Sequence, residues 1–137
     1  MRVILDTNVL LVSIGKKSPY RPIFDAFLAN QFTLVISNDL LLEYAEIIEH
    51  KTNILVATNI IEMLLSKSNV EKKEIYFKWG LLTSDYDDNK FVDTAIVGSV
   101  DFIVTNDKHF NPLKDIDFPK VETITIDNFL EIIKALI

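Results

Sequence analysis

The residues with chemistry to offer are four acids far apart in the chain: Asp6, Glu43, Asp88 and Asp107. Asp6 ends the apolar run Val3-Ile4-Leu5, and Asp107 stands just beyond a second run, Phe102-Ile103-Val104-Thr105. Short apolar runs rich in β-branched residues read as strands buried on both faces, and a carboxylate at the lip of such a strand needs a reason. In open α/β sheets the carboxyl ends of the strands are where ligands bind. If the sheet is parallel, Asp6 and Asp107 share one edge. Asp88, at the expected N-cap of the helix leading into the second run, joins them if that helix starts at the same edge. Each acid also has an ordinary explanation. Asp6, Thr7 and Asn8 can be turn residues, Asp87 and Asp88 capping residues, and Glu43 a solvated face residue.

Three or more carboxylates in one cleft repel one another and take up protons unless a cation sits between them. Cysteine is absent and there are only two histidines, which argues against zinc held by sulfur or nitrogen. The natural guests are Mg²⁺ or Mn²⁺, hard ions that prefer oxygen ligands. One or two such ions can hold a phosphodiester, activate a water and stabilise the leaving oxygen, so an all-carboxylate site points to phosphoryl chemistry. Thr7 and Asn8 are placed to hydrogen-bond Asp6 or a bound water. Asn106, beside Asp107, is a weaker candidate of the same kind. Asp93 is also weaker: five residues past Asp88 on a helix, it points about 140° away.

Elements that place these acids follow from the pattern of apolar residues. Val3–Leu5, Thr33–Ile36, Asp101–Thr105 and Thr123–Ile126 read as strands. Helices are expected from Val9, from Pro22 (Ile23, Phe24, Phe27 and Leu28 forming one stripe), from Leu40, over Ile54–Leu65, and from Lys90 to Val97. A last helix carries Phe129, Ile132, Ile133 and Leu136 inward, capped by Asp127. Glu74–Leu82 is ambiguous: Ile75, Phe77 and Trp79 alternate as in a strand, but Gly80 interrupts them. The segment between Pro112 and Pro119 reads as an irregular loop. Strands alternating with helices predict a three-layer α/β/α sandwich around a mostly parallel sheet of four or five strands.

At 137 residues the chain fits one domain, 1–137, able to bury roughly two-thirds of the surface its unfolded form exposes. Its N-terminus lacks the pattern of an export signal, no apolar run is long enough for a membrane span, and the lack of cysteine fits a reducing cytoplasm. A net charge of −6 argues against a non-specific polyanion binder and allows an enzyme whose acids are neutralised by bound cations.

In four places the residues resemble the PIN-domain ribonucleases, and within them the VapC-like toxins of toxin–antitoxin pairs. Val3-Ile4-Leu5-Asp6-Thr7-Asn8-Val9-Leu10 resembles the family's first motif, and Ser37-Asn38-Asp39-Leu40-Leu41-Leu42-Glu43-Tyr44 its second, in which the Glu is a metal ligand. Asp87-Asp88-Asn89-Lys90-Phe91-Val92-Asp93-Thr94-Ala95 resembles the third, and Phe102-Ile103-Val104-Thr105-Asn106-Asp107 followed by Phe110 the fourth. In the commoner toxin branch the third acid precedes an Ala by seven positions, which selects Asp88 over Asp93. Singly each motif is weak, but four in order carry the signal. The resemblance implies a PIN-like fold and a Mg²⁺- or Mn²⁺-dependent endoribonuclease, often dimeric, inhibited by a cognate antitoxin protein. The acidic balance departs from an RNA binder's usual basic stripe, though Lys16, Lys17, Arg21, Lys90, Lys108 and His109 could gather near the site. His109, and the aromatic residues Tyr76, Phe77 and Trp79, are expected to be ordinary surface and core residues respectively.

Two other classes fit less well. A signalling receiver also collects acids and Mg²⁺ at strand ends, but needs paired acids after its first strand, where this chain offers Asp6 alone. A catalytically lapsed module of the same fold would act only through protein partners.

Overall fold

A computed structural model describes residues 1–136. Five strands form one sheet among the described residues: β1 (Arg2–Leu5), β2 (Thr33–Ile36), β3 (Val70–Lys72), β4 (Phe102–Val104) and β5 (Thr123–Ile124). All pairings are parallel, in the order β3-β2-β1-β4-β5. The chain therefore winds outward from β1 to β3, then returns to the other side of β1 to lay down β4. That reversal puts a topological switch point between β1 and β4, where the crevice outside the strand ends is the expected ligand site. The order also differs from the 2-1-3-4-5 arrangement of receiver domains, which removes that reading.

Register shows which helices lie on which face. Val3, Leu34 and Phe102 are partners across three strands and so point the same way, and Phe102 meets Phe129 edge-on at 6.0 Å. Phe129 belongs to α6 (Ile126–Ala135), which packs on α2 (Arg21–Leu28), itself packed on α1 (Thr7–Ile14). Val35, one residue along from Leu34, faces the other way and meets α5 (Asn89–Gly98). The layers are thus α/β/α. A helical hairpin of α3 (Asn38–Lys51) and α4 (Ile54–Ser66) links β2 to β3. No helix among the described residues is long and apolar enough to cross a membrane.

Local chemistry explains most boundaries. Asn53 caps α4 by accepting the Val56 N–H at 2.9 Å, and Pro22 sits in the first turn of α2, where its missing N–H costs nothing. The last helix is capped by Thr125, whose hydroxyl accepts the Asn128 N–H at 3.2 Å, and not by Asp127, which lies inside the first turn. The ambiguous stretch forms no strand. Ile75, Phe77 and Trp79 lie outside regular structure, and Phe77 and Tyr76 are exposed rather than in the core. The third strand lies just before them at Val70–Lys72, a three-residue edge strand too short and too charged to show a period. Between Lys108 and Asp115 the chain makes 3-10 turns that seat Phe110 and Leu113 in the core and run into the first part of the loop expected between Pro112 and Pro119.

The approach of α5 to the sheet is set by Gly98. A Cβ there would lie 2.6 Å from Val35 Cγ1, inside contact distance. Gly98→Ala is expected to cost about 1–3 kcal/mol by overpacking, measured by urea denaturation, with part of the loss recovered when Val35→Ala is made with it. No loss in the single variant would mean that α5 does not sit this close.

Candidate active site

β1 and β4 deliver the first two acids. Leu5 pairs with Val104, and the Asp6 N–H continues the ladder by donating to the Val104 carbonyl at 3.0 Å. The backbone then turns into α1, leaving the Asp6 carboxylate at the C-terminal edge. Although Asp6 stands at the N-cap, its side chain makes no cap hydrogen bond. Its Oδ2 instead accepts from the Thr105 hydroxyl at 2.6 Å, and the same Thr105 oxygen accepts the Asp107 N–H at 3.0 Å. Thr105 therefore ties both acids to the end of β4.

Glu43 comes from the second turn of α3, whose N-cap is Ser37. The Thr7 hydroxyl donates to Glu43 Oε2, and the buried Tyr44 hydroxyl donates to the Leu5 carbonyl at 2.5 Å, so α3 is fastened beside the end of β1. Lys90 Nζ lies 2.7 Å from Glu43 Oε1 and 3.3 Å from Asp87 Oδ1. Burial works against the Lys90 ammonium, but Glu43 and Asp87 outweigh it and raise its pKa.

Asp88 is the N-cap of α5, yet it too makes no side-chain cap hydrogen bond, and its Oδ2 is buried without a hydrogen-bond partner. The capping explanation is thereby removed. Asp85 stands at the N-cap and Asp88 at the end of a 3-10 turn, Tyr86–Asp88, in which side chains three apart eclipse. Ligand atoms of Asp85, Asp88 and His109 lie within 4.8 Å of one another, and His109 Nδ1 is 3.3 Å from Asp85 Oδ2 and 2.9 Å from Asp107 Oδ1. The middle of α5 is held toward the N-cap of α3 by the hydrogen bond that Thr94 Oγ1 donates to Ser37 Oγ at 2.9 Å.

The electrostatics follow from this crowding. Burial raises the Asp6 pKa above the ordinary value, opposed by hydrogen bonds from Thr105 and Thr7 and reinforced by the Asp107 and Glu43 carboxylates. Asp88 is pushed up to about 7, first by burial and then by Asp85, Asp107, Asp6 and Glu43. The four sequence-identified acids thus act on one another at one edge. They also divide between two openings. Glu43 lines a groove of about 740 Å³ with Lys78, Tyr86 and Lys90, whereas Asp6 and Asp107 line a hollow of about 380 Å³ with Asn8 and Tyr20.

The weaker candidates separate. Thr7 is buried against Glu43, and Asn8 is exposed at the rim. Asn106 is occupied elsewhere, its side-chain oxygen accepting the Ile126 N–H at 3.0 Å. Asp93 lines the Glu43 groove and accepts the Trp79 N–H at 3.1 Å, anchoring the irregular segment, and burial raises its pKa against the lowering effects of that bond and of Lys78. Asp85 and Thr105 had not been singled out. Asp85 was signalled only by its spacing of three from Asp88, and Thr105 by its place two residues before Asp107.

The donor set suits a hard divalent cation. Asp85 and Asp88 lie within 4.8 Å of His109, which also contacts Asp107, and Thr105 ties Asp107 to Asp6; one Asp88 oxygen is buried and unpartnered, and burial first, then neighbouring carboxylates, raise the pKa of Asp6 and Asp88.

Comparison with known proteins bears on this arrangement. The fold is similar to a chain in the crystal structure of VapBC2 from Rickettsia felis bound to a DNA fragment from their promoter, with a TM-score of 0.61 and 19% sequence identity over 91% of this chain and 98% of that one. No curated protein matches the sequence significantly. A family model described as the PIN domain matches residues 2–109. That match runs from β1 through His109 and takes in all four acids in chain order, so the chain belongs to the PIN-domain family.

Proposed function

We propose that the protein is a metal-dependent endoribonuclease that hydrolyses phosphodiester bonds of single-stranded RNA, and that it is the toxin of a toxin–antitoxin pair. The observation that supports the nuclease half is a buried, unpartnered Asp88 oxygen that feels the Asp85, Asp107, Asp6 and Glu43 carboxylates, in a chain of the PIN family, a family of nucleases. Support for the toxin half is the likeness to a chain of the VapBC2 complex. We assign the whole of 1–137 to this one domain, working in the cytoplasm as a monomer or homodimer with an antitoxin protein as partner.

In this reading Asp6, Glu43, Asp88 and Asp107 hold Mg²⁺ or Mn²⁺, with Asp85 and His109 at the margin. When bound, such an ion would supply positive charge against the phosphate and would lower the pKa of a bound water. The chain's own groups position the acids. Thr105 fixes Asp6 and Asp107 relative to each other, and Thr7 and Tyr44 hold α3 so that Glu43 reaches the same edge.

Incubation with labelled single-stranded RNA in Mn²⁺ or EDTA tests the reading. Cleavage is expected in Mn²⁺, absent in EDTA, and weaker on duplex RNA. Mn²⁺ binding without cleavage of any RNA would favour a lapsed binding module instead.

A further inference from the structure

Both carboxylate oxygens of Glu43 are already engaged by the chain. Oε1 faces Lys90 Nζ at 2.7 Å, and Oε2 accepts from the Thr7 hydroxyl. Asp88, by contrast, leaves a buried oxygen without a partner. The Lys90 and Glu43 side chains are only 20% and 19% exposed, so their attraction is felt more strongly than between charges in open water. Asp87, the second partner of Lys90, is 81% exposed and 3.3 Å away.

We propose that Lys90 is the resident counter-cation of the carboxylate cluster, holding Glu43 while no divalent ion is bound and releasing it when one enters. The inference rests on the metal-nuclease reading given above and names a positioning residue within it. An ammonium on a flexible four-carbon stem suits such a role, being a compact point charge that can change partners without rebuilding the backbone. Asp87 gives it somewhere to go, because it already shares the ammonium. The charged side chains of the groove that Lys90 lines are mostly acidic, with Asp39, Glu46, Asp87 and Asp93 beside Glu43, so an ammonium released there stays among carboxylates. A divalent ion must therefore displace a charge of its own sign to reach Glu43. The same contact keeps Glu43 neutralised in the ion-free protein.

Calorimetric titration of the full chain with Mn²⁺, at fixed pH and low salt, separates the possibilities. Lys90→Met is expected to bind Mn²⁺ about tenfold tighter than the parent, because a like charge and a competitor for Glu43 are both removed. Lys90→Arg keeps the charge and should stay close to the parent. In EDTA, Lys90→Met should unfold at lower urea than the parent. If the parent binds Mn²⁺ and Lys90→Met binds it equally or more weakly, the counter-cation role is overturned while the nuclease reading stands. If the parent binds no Mn²⁺, both are overturned. Should Lys90→Met lack the parent's far-ultraviolet circular dichroism, Lys90→Gln takes its place with the same expectations.

Discussion

Replacing Asp6 by asparagine is expected to lower RNA cleavage by about three orders of magnitude, equivalent to roughly 4 kcal/mol of transition-state stabilisation, while leaving the fold intact. The substitution keeps the volume of the side chain and removes only its charge. Folding should tolerate this well. Burial and the neighbouring Asp107 and Glu43 carboxylates already disfavour the charged form, so a neutral amide is easier to accommodate without the ion. Thr105, whose hydroxyl now donates to Asp6 Oδ2, can still donate to the amide oxygen. Catalysis should not tolerate it, because Asp6 is the acid at the end of the central strand, flanked by the switch point, and every other site acid is placed relative to it. Rate measurements on a labelled oligonucleotide, beside a thermal melt in EDTA, check both halves. Activity within tenfold of the parent would remove Asp6 from the site.

The second large effect belongs to Asp88 and concerns stability as much as activity. Its pKa in the folded protein, about 7, is above the ordinary value of 3.8. Below pH 4 the carboxyl is protonated in both folded and unfolded chains, and its contribution is fully present. As pH rises from about 4 to 7 the unfolded chain gives up the proton while the folded chain keeps it, so stability falls across that window and levels off above it. For a partly exposed group, allowing for solvent screening, this amounts to about 1–2 kcal/mol. Asp88→Asn carries no titrating proton and should lose that slope. In EDTA the variant is therefore expected to be more stable than the parent at pH 8 and closer to it at pH 5, by urea denaturation at both values. It should also lose most of the stabilisation that Mn²⁺ gives the parent, and its cleavage activity with it. A variant less stable than the parent at pH 8 would show that Asp88 is held by a favourable contact, contrary to the unpartnered oxygen seen here.

The two predictions depend on features of different legibility. Asp6 could be read directly, because a β-branched run ending in a carboxylate is a local pattern, and its placement needs only the inference that the sheet is parallel. Asp88 was harder. The choice between Asp88 and Asp93 turned on a resemblance in spacing, and the structure adds a physical difference that spacing alone does not contain: Asp93 accepts the Trp79 N–H and feels Lys78, whereas Asp88 feels Asp85, Asp107, Asp6 and Glu43. Lys90 could be named as one of several basic residues, but its attachment to Glu43 spans 47 positions and could not.

By itself the sequence determined the order and type of most elements and the two buried strands that lead to Asp6 and Asp107, since each is written in a window of a few residues where period and capping act, while Glu43 and Asp88 rested on the family resemblance. It misplaced the third strand and buried aromatic residues that are exposed, because a short edge strand carries no period and Ile75, Phe77 and Trp79 alternate without a sheet to face. Only the tertiary structure decided which groups meet across the switch point, among them Asp85, Thr105, Lys90 and His109. The reason is that periodicity fixes the face a side chain presents, while the strand order and the packing of α3 and α5 on the sheet fix what that face is presented to.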